Sequence, residues 1–298
     1  MWIGYCHMQM PSSPRSSNSR LLLFALATFL GGLQSATAAA FGPVVGLQLE
    51  SVSGSLHKDM AATLEKVHGW GFRSVELVGD YSLSPDALKS ELAAHHLKAA
   101  SAHFPYAKFR DAPDQLAAEA EALGISLMGC PSLPQRDALD KAGCDDAVAV
   151  FNRAGEILAK RGIKFFYHPH GYEFKPFGQG TLFDYLVTNT NPQYVRFQMD
   201  IYWIAHAGQD PVKLLERYPN RWISMHLKDM RKGAPTGVFD GQVKRGDFAP
   251  IGQGQIDVVG AMRVARRLGI TSYFIEDESG SPDTGIPESL RYLNAVSW

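Results

Sequence analysis

The chain has 298 residues, a formal net charge of −1 and three cysteines. So even a charge balance makes the chain a poor candidate for nucleic acid, where a concentrated basic face supplies most of the affinity. The length suits one large domain with a sizeable core rather than an array of small ones.

Residues 1–40 carry a secretory pattern. Arg15 and Arg20 form a positive n-region, "LLLFALATFLGGL" (Leu21–Leu33) is apolar, and "SATAAAF" (Ser35–Phe41) offers small residues for cleavage. The apolar run is too short to span a membrane and no stop-transfer run follows it. Cleavage after Ala38, Ala39 or Ala40 is expected to leave residues 41–298 as the mature domain, exported and periplasmic, with no stable membrane insertion. Loss of Arg15 and Arg20 would move the net charge to −3. Cys6 would leave with that segment, so only Cys130 and Cys144 remain. In an oxidising compartment they are either bridged or two free thiols.

From residue 44 onward, short β-rich runs alternate with helical patterns. The expected strands are Val44–Leu49, Ser74–Val78, Lys98–Phe104, Ile125–Cys130, Ile163–His168, Val195–Asp200, Trp222–Leu227 and Ser272–Asp277. Amphipathic segments lie between them, and "LSPDALKSEL" shows Ser84 as an N-cap with Pro85 at the first helical position. Repeated βα units of this number and total length predict a single-domain α/β fold, a (β/α)8 TIM barrel. The competing doubly wound sheet should show a glycine-rich phosphate turn after its first strand, and "LQLESVSGSLHKD" has none.

Catalytic groups of such barrels sit at the C-terminal ends of the strands. Glu76 lies in the second strand, His103 ends the third, and His168 and His170 end the fifth with Glu173 beyond them. Asp200 ends the sixth, followed by Tyr202, Trp203 and His206. His226 and Lys228 fall at the end of the seventh, and Glu276 and Asp277 at the end of the eighth. Histidine and carboxylates converging from separate strands make a mixed nitrogen and oxygen site. Such a site suits a divalent ion: Mn²⁺ or Mg²⁺ by its carboxylates, Zn²⁺, Co²⁺ or Fe²⁺ by its imidazole.

The segments "FFYHPHGYEF", "FQMDIYWIAHAGQDPVKLLERYP", "ISMHLKDM", "IGQGQID" and "YFIEDE" together resemble the xylose isomerase-like barrels of the sugar phosphate isomerase/epimerase family. The likeness is to its exported branch, with a Y-H-x-H-x-x-E-F strand end. It covers nearly all of the mature chain. Relatives include sugar and ketose epimerases, inosose dehydratase-like enzymes and lyases of 3-keto-glycosides, with endonuclease IV more distant. The resemblance implies a divalent metal held by an acidic residue after the fifth strand, then Asp200, His226 and Glu276. At the first of these positions stand His168 and, five residues on, Glu173. Glu173 is the expected ligand because it keeps an anionic charge at the metal.

The implied chemistry is loss of a proton from a carbon next to a carbonyl, with the metal as Lewis acid and a side chain as base. His168 or His170 is the expected base, and Lys228 the expected donor to a carbonyl or hydroxyl. Glu76, His103, Trp203 and Asp277 are the expected substrate contacts, with Tyr202 and Phe104 as further apolar faces. The leading expectation is a metal-dependent sugar isomerase or epimerase. The alternatives are a lyase or hydratase of 3-keto-glycosides on the same site, or a non-catalytic carbohydrate-binding barrel. The expected ligand is a small carbohydrate. No arginine cluster argues for a phosphate, although Arg196, Arg231 and Arg245 are left open as contacts for one, and the oligomeric state is left open too. The long glycine-rich connection Asp229–Gly254 is a candidate substrate-covering lid. "GQGQ" lacks the Lys-Ser/Thr ending of a phosphate loop.

Overall fold

A computed structural model describes residues 45–79, 81–135 and 138–298. The segment read as a signal peptide, 1–40, lies outside the described residues. Eight parallel strands close into a barrel in chain order: β1 (Val45–Gln48), β2 (Ser74–Val78), β3 (Lys98–His103), β4 (Leu127–Cys130), β5 (Lys164–Tyr167), β6 (Val195–Asp200), β7 (Trp222–Leu227) and β8 (Ser272–Ile275). Closure comes from β1, which pairs with β2 on one side and β8 on the other, Leu47 lying opposite both Val75 and Ile275. Every expected strand is present; three have the expected bounds, and the others differ by one or two residues at an end.

The helices between the strands start where side-chain acceptors meet free backbone donors. Ser84 accepts from Ala87 N (3.3 Å) with Pro85 at the first position, and Asp140 accepts from Gly143 N (2.9 Å). Thr181 and Asp184 form a reciprocal capping box. In the longest helix, Lys141–Ala159, Ala147, Val150, Phe151, Ala154 and Leu158 recur at helical spacing and are buried against the barrel. Inside the barrel, Gly129 on β4 makes room for Phe166 on β5. A Cβ at that glycine would collide with the Phe166 ring. No helix among the described residues is long and apolar enough to cross a membrane. Cys130 and Cys144 are both buried free thiols, so the bridged alternative is not the one found.

Candidate metal centre and active site

The strand ends bring most of the expected ionisable residues into one buried cluster at the C-terminal mouth of the barrel. On β6, Asp200 caps the following short helix: its Oδ1 accepts from Tyr202 N (2.9 Å) and Trp203 N (3.1 Å). Its other oxygen, Oδ2, is buried and makes no hydrogen bond. That oxygen faces Lys228 Nζ at 3.0 Å, His226 Nδ1 at 3.6 Å and His168 Nε2 at 3.7 Å. On β7, His226 points one ring nitrogen at Glu276 Oε2 (2.7 Å) and the other at Glu76 Oε1 (2.5 Å). Lys228 is not a solvated loop lysine. It is buried with Nζ at 2.6 Å from Glu276 and 2.5 Å from Glu278.

Two overlapping donor sets result. Asp200, His226 and Glu276 each present an atom within 4.8 Å of the others, and so do His103, His168 and His226. The charges argue for a cation among them. Four carboxylates crowd together around Lys228 and His226: Asp200, Glu276 and Glu278 face the lysine, and Glu76 faces the imidazole. Buried charge without compensation is strongly unfavourable. The unbonded Asp200 oxygen and the mixed donor set therefore fit a divalent ion.

Electrostatic shifts follow from the same geometry. Burial would push the His226 imidazole down, but Glu276 and Glu76 raise it well above the usual histidine range. Burial likewise opposes the Lys228 charge, and Asp200, Glu276 and Glu278 overcome it, raising its pKa well above normal. His168 is driven well below the ordinary value, first by burial and then by the neighbouring His170, His226 and His103 and by Lys228. It is thus a neutral imidazole, as a base or a ligand must be.

Gln198 organises this set, and the sequence reading missed it. Its Nε2 lies 3.0 Å from Glu76, which can only accept, so its Oε1 must face the other way. That oxygen meets His103 Nε2 at 2.9 Å and His168 Nδ1 at 2.8 Å. Both nitrogens must therefore carry hydrogens, and the His168 Nε2 lone pair is left toward Asp200. Fixing a ligand's tautomer through its second nitrogen is how outer residues tune metal sites. The signal was available in the strand period: Gln198 is two residues before Asp200, on the same face. Glu278, one residue beyond Asp277, was missed as well.

Three expected residues are not brought into the cluster. The Glu173 carboxylate accepts from the Tyr167 hydroxyl and from His170 N (3.0 Å), and it lies in neither donor set. The helical turn Tyr172–Phe174 folds it back under its own loop, and His168 takes the place beside Asp200. Asp277 accepts from Ser279 N (2.9 Å) and shapes the turn after β8. Trp203 is buried, with Lys228 Nζ 5.6 Å from its ring and the His170 ring 5.3 Å away. It therefore supports the cluster instead of offering an open stacking face. His170 does reach the cavity, its ring 4.5 Å from that of His168.

A cavity of about 240 Å³ opens above the cluster, lined by His103, His168, His170, His226, Glu276 and Glu278, with Gly241 and Val243 from the long connection. That is below the roughly 300–1,000 Å³ of sites for drug-sized ligands, and it matches a single sugar-sized ring. The connection is clamped at its base. Asp229 accepts from Met230 N (2.8 Å), Gly252 N (2.9 Å), Gly254 N (2.9 Å) and Ile256 N (3.1 Å), so "GQGQ" is a backbone cradle for a carboxylate. A Cβ at Gly254 would collide with Asp229 and with the Met230 carbonyl. Phe248 stacks on Tyr202 with centroids 4.2 Å apart.

The family model for xylose isomerase-like TIM barrels matches residues 64–296. An inosose dehydratase of Lacticaseibacillus casei is 26% identical over 269 residues, covering 76% of this chain and 86% of its own. One from Clostridium perfringens (strain 13) is 25% identical, over 74% and 82%. Among solved structures, a sugar phosphate isomerase/epimerase of Parabacteroides distasonis is 28% identical with a TM-score of 0.72, over 89% of this chain and 98% of its own. An IolI protein with a bound zinc atom shares the fold at 14% identity, with a TM-score of 0.60 over 84% and 94%.

Proposed function

The chain belongs to the xylose isomerase-like TIM barrel family, and on that premise we propose that it is a metal-dependent lyase of the dehydratase kind. Its substrate class is a keto sugar or a cyclic keto-polyol of one ring. The reading rests on the buried cluster beneath a sugar-sized cavity. The inosose dehydratases among its relatives support loss of water over isomerisation. The leading expectation of an isomerase or epimerase thus gives way to the alternative with the same site.

Asp200, His226 and Glu276 would hold the ion, with the His168 lone pair as the fourth donor in place of Glu173. Held by these residues, a divalent ion would supply Lewis acidity toward the substrate carbonyl. His170 takes the proton from the carbon next to that carbonyl, and the C–H electrons become the double bond of an enolate. Lys228, kept charged by its three carboxylates, stabilises the negative oxygen. The enolate electrons then expel the hydroxyl on the next carbon. His170 returns its proton to that hydroxyl, so one water leaves and an unsaturated ketone remains. An isomerase would share the first step and return the proton to carbon. Export, read from residues 1–40, remains part of this proposal and favours a substrate without phosphate.

The test is incubation of metal-loaded protein with cyclic keto-polyols and 3-keto-glycosides in D₂O. The expected result is an enone absorbance, with deuterium entering next to the carbonyl. Exchange without elimination would favour the isomerase. Neither exchange nor elimination, with stoichiometric metal bound, would leave the carbohydrate-binding barrel.

A further inference from the structure

At the opposite end of the barrel, a second cleft collects positive charge that the metal centre does not use. It has a volume of about 380 Å³ and is lined by Lys164 and Arg196, with Gln193, Tyr194 and Ile223 among its other walls and no carboxylate. Arg196 is the second residue of β6 and pairs with Phe166 on β5, so it lies two positions before Gln198 at the N-terminal end of the strand. Its Nη1 is fully shielded from solvent and meets no acceptor. Neither Arg196 nor Lys164 has a carboxylate partner among the described residues.

Arg221 lies close by and is also without an acidic partner. Its guanidinium donates to the Val187 carbonyl and to Thr190 Oγ1 (2.7 Å), both neutral oxygens. Burial, with the Arg196 charge adding to it, pushes Arg221 down to about 10. Buried guanidinium groups are ordinarily paired, and their fixed fork of donors matches the oxygens of carboxylate and phosphate. A shielded N–H without an acceptor therefore marks a place where a partner is missing.

We propose that this cleft is a binding site for a small oxyanion, phosphate or carboxylate, seated on Arg196 and Lys164 and separate from the metal centre. Arg231 and Arg245 take no part. Arg231 is engaged by Asp247 (3.0 Å), and Arg245 packs beside Gly280. The site is independent of the reaction assigned to the barrel mouth.

The test is a thermal-shift titration of the full chain with inorganic phosphate and, separately, with succinate, each against chloride at equal ionic strength. A saturable rise in unfolding temperature is expected with at least one of them, and which one responds identifies the oxyanion. Arg196→Gln should weaken that response at least about tenfold, as the loss of a charge-assisted hydrogen bond requires. Lys164→Gln, at an exposed position, should weaken it less, and Asp200→Asn at the metal centre should leave it unchanged. No saturable response to either anion would overturn the proposal. So would a response that survives Arg196→Gln, or one that vanishes in Asp200→Asn.

Discussion

Replacing Asp229 by alanine tests whether the connection after β7 is held in place by one carboxylate. Four backbone amides converge on it from Met230, Gly252, Gly254 and Ile256, at 2.8–3.1 Å. Burial outweighs those amides and raises the Asp229 pKa above the ordinary aspartate value. The carboxylate itself is thus no bargain, and the cost of removing it lies in the donors left behind. Each buried donor without a partner costs about 1–3 kcal/mol. A loop that relaxes toward water recovers part of this, and single substitutions seldom exceed about 4–5 kcal/mol. The expected loss is therefore about 3–4 kcal/mol, which in a domain of this size lowers Tm by on the order of 10 °C. Asp229→Asn keeps one acceptor oxygen and should lose about half as much. Urea unfolding gives the free energies, and hydrogen exchange at Gly252, Gly254 and Ile256 reports the local opening. A loss under about 1 kcal/mol for alanine, with those amides still protected, would refute the clamp.

The other predictions concern the cluster and its surroundings. Asp200→Asn and His226→Gln should each lose stoichiometric divalent metal by ICP-MS, whereas Glu173→Gln should retain it; metal loss in the last would return Glu173 to the ligand set. Gln198→Leu removes the acceptor that fixes His103 and His168 and should lower metal affinity or turnover by about 10–100-fold with the circular dichroism spectrum unchanged. Glu173 is raised by burial to about 7, so the folded state holds its proton more tightly than the unfolded chain does. Its contribution is then most favourable below about pH 4.5 and falls as pH rises toward 7, by on the order of 3 kcal/mol in all. Glu173→Gln should flatten that slope, so its stability relative to the parent chain should grow between pH 4.5 and 7. Equal urea midpoints for the two proteins at both ends of that range would refute it.

The barrel was legible because its signals are local. Alternating apolar runs gave all eight strands, and Ser84–Pro85 gave a helix start to the residue. Residues at strand ends, Asp200, His226 and Glu276, were legible because barrel topology alone brings them to one mouth. Glu173 was not, because its position depends on the turn Tyr172–Phe174 and on a tyrosine hydroxyl that no periodicity specifies. Lys228 was legible as a donor at a strand end, but its ion pairs were not, because the carboxylates that bury it come from β6 and from beyond β8. Its surroundings exist only once the barrel has closed. Gln198 escaped for a chemical reason: an amide looks inert until the groups on its two sides are known.

Strand β6 shows how little sequence is needed to separate two sites. Arg196, Gln198 and Asp200 follow one another at the strand period, while Phe197 and Met199 between them are fully buried. About 3.3 Å per residue places the first and last some 13 Å apart. Over that span the polar row runs from a guanidinium nitrogen with no acceptor, through an amide, to a carboxylate that faces Lys228. Gln198 donates toward Glu76 and accepts from two histidines, so it transmits no charge and keeps the ends distinct. Replacing Gln198 by glutamate would add a fifth carboxylate beside the metal centre. The variant should therefore bind a divalent ion more tightly than the parent. Its carboxylate would still accept from His103 and His168, so their tautomers should persist, but it would face the Glu76 carboxylate where the amide donated. Tighter metal by ICP-MS is the expected result; metal affinity no higher than the parent's would refute it.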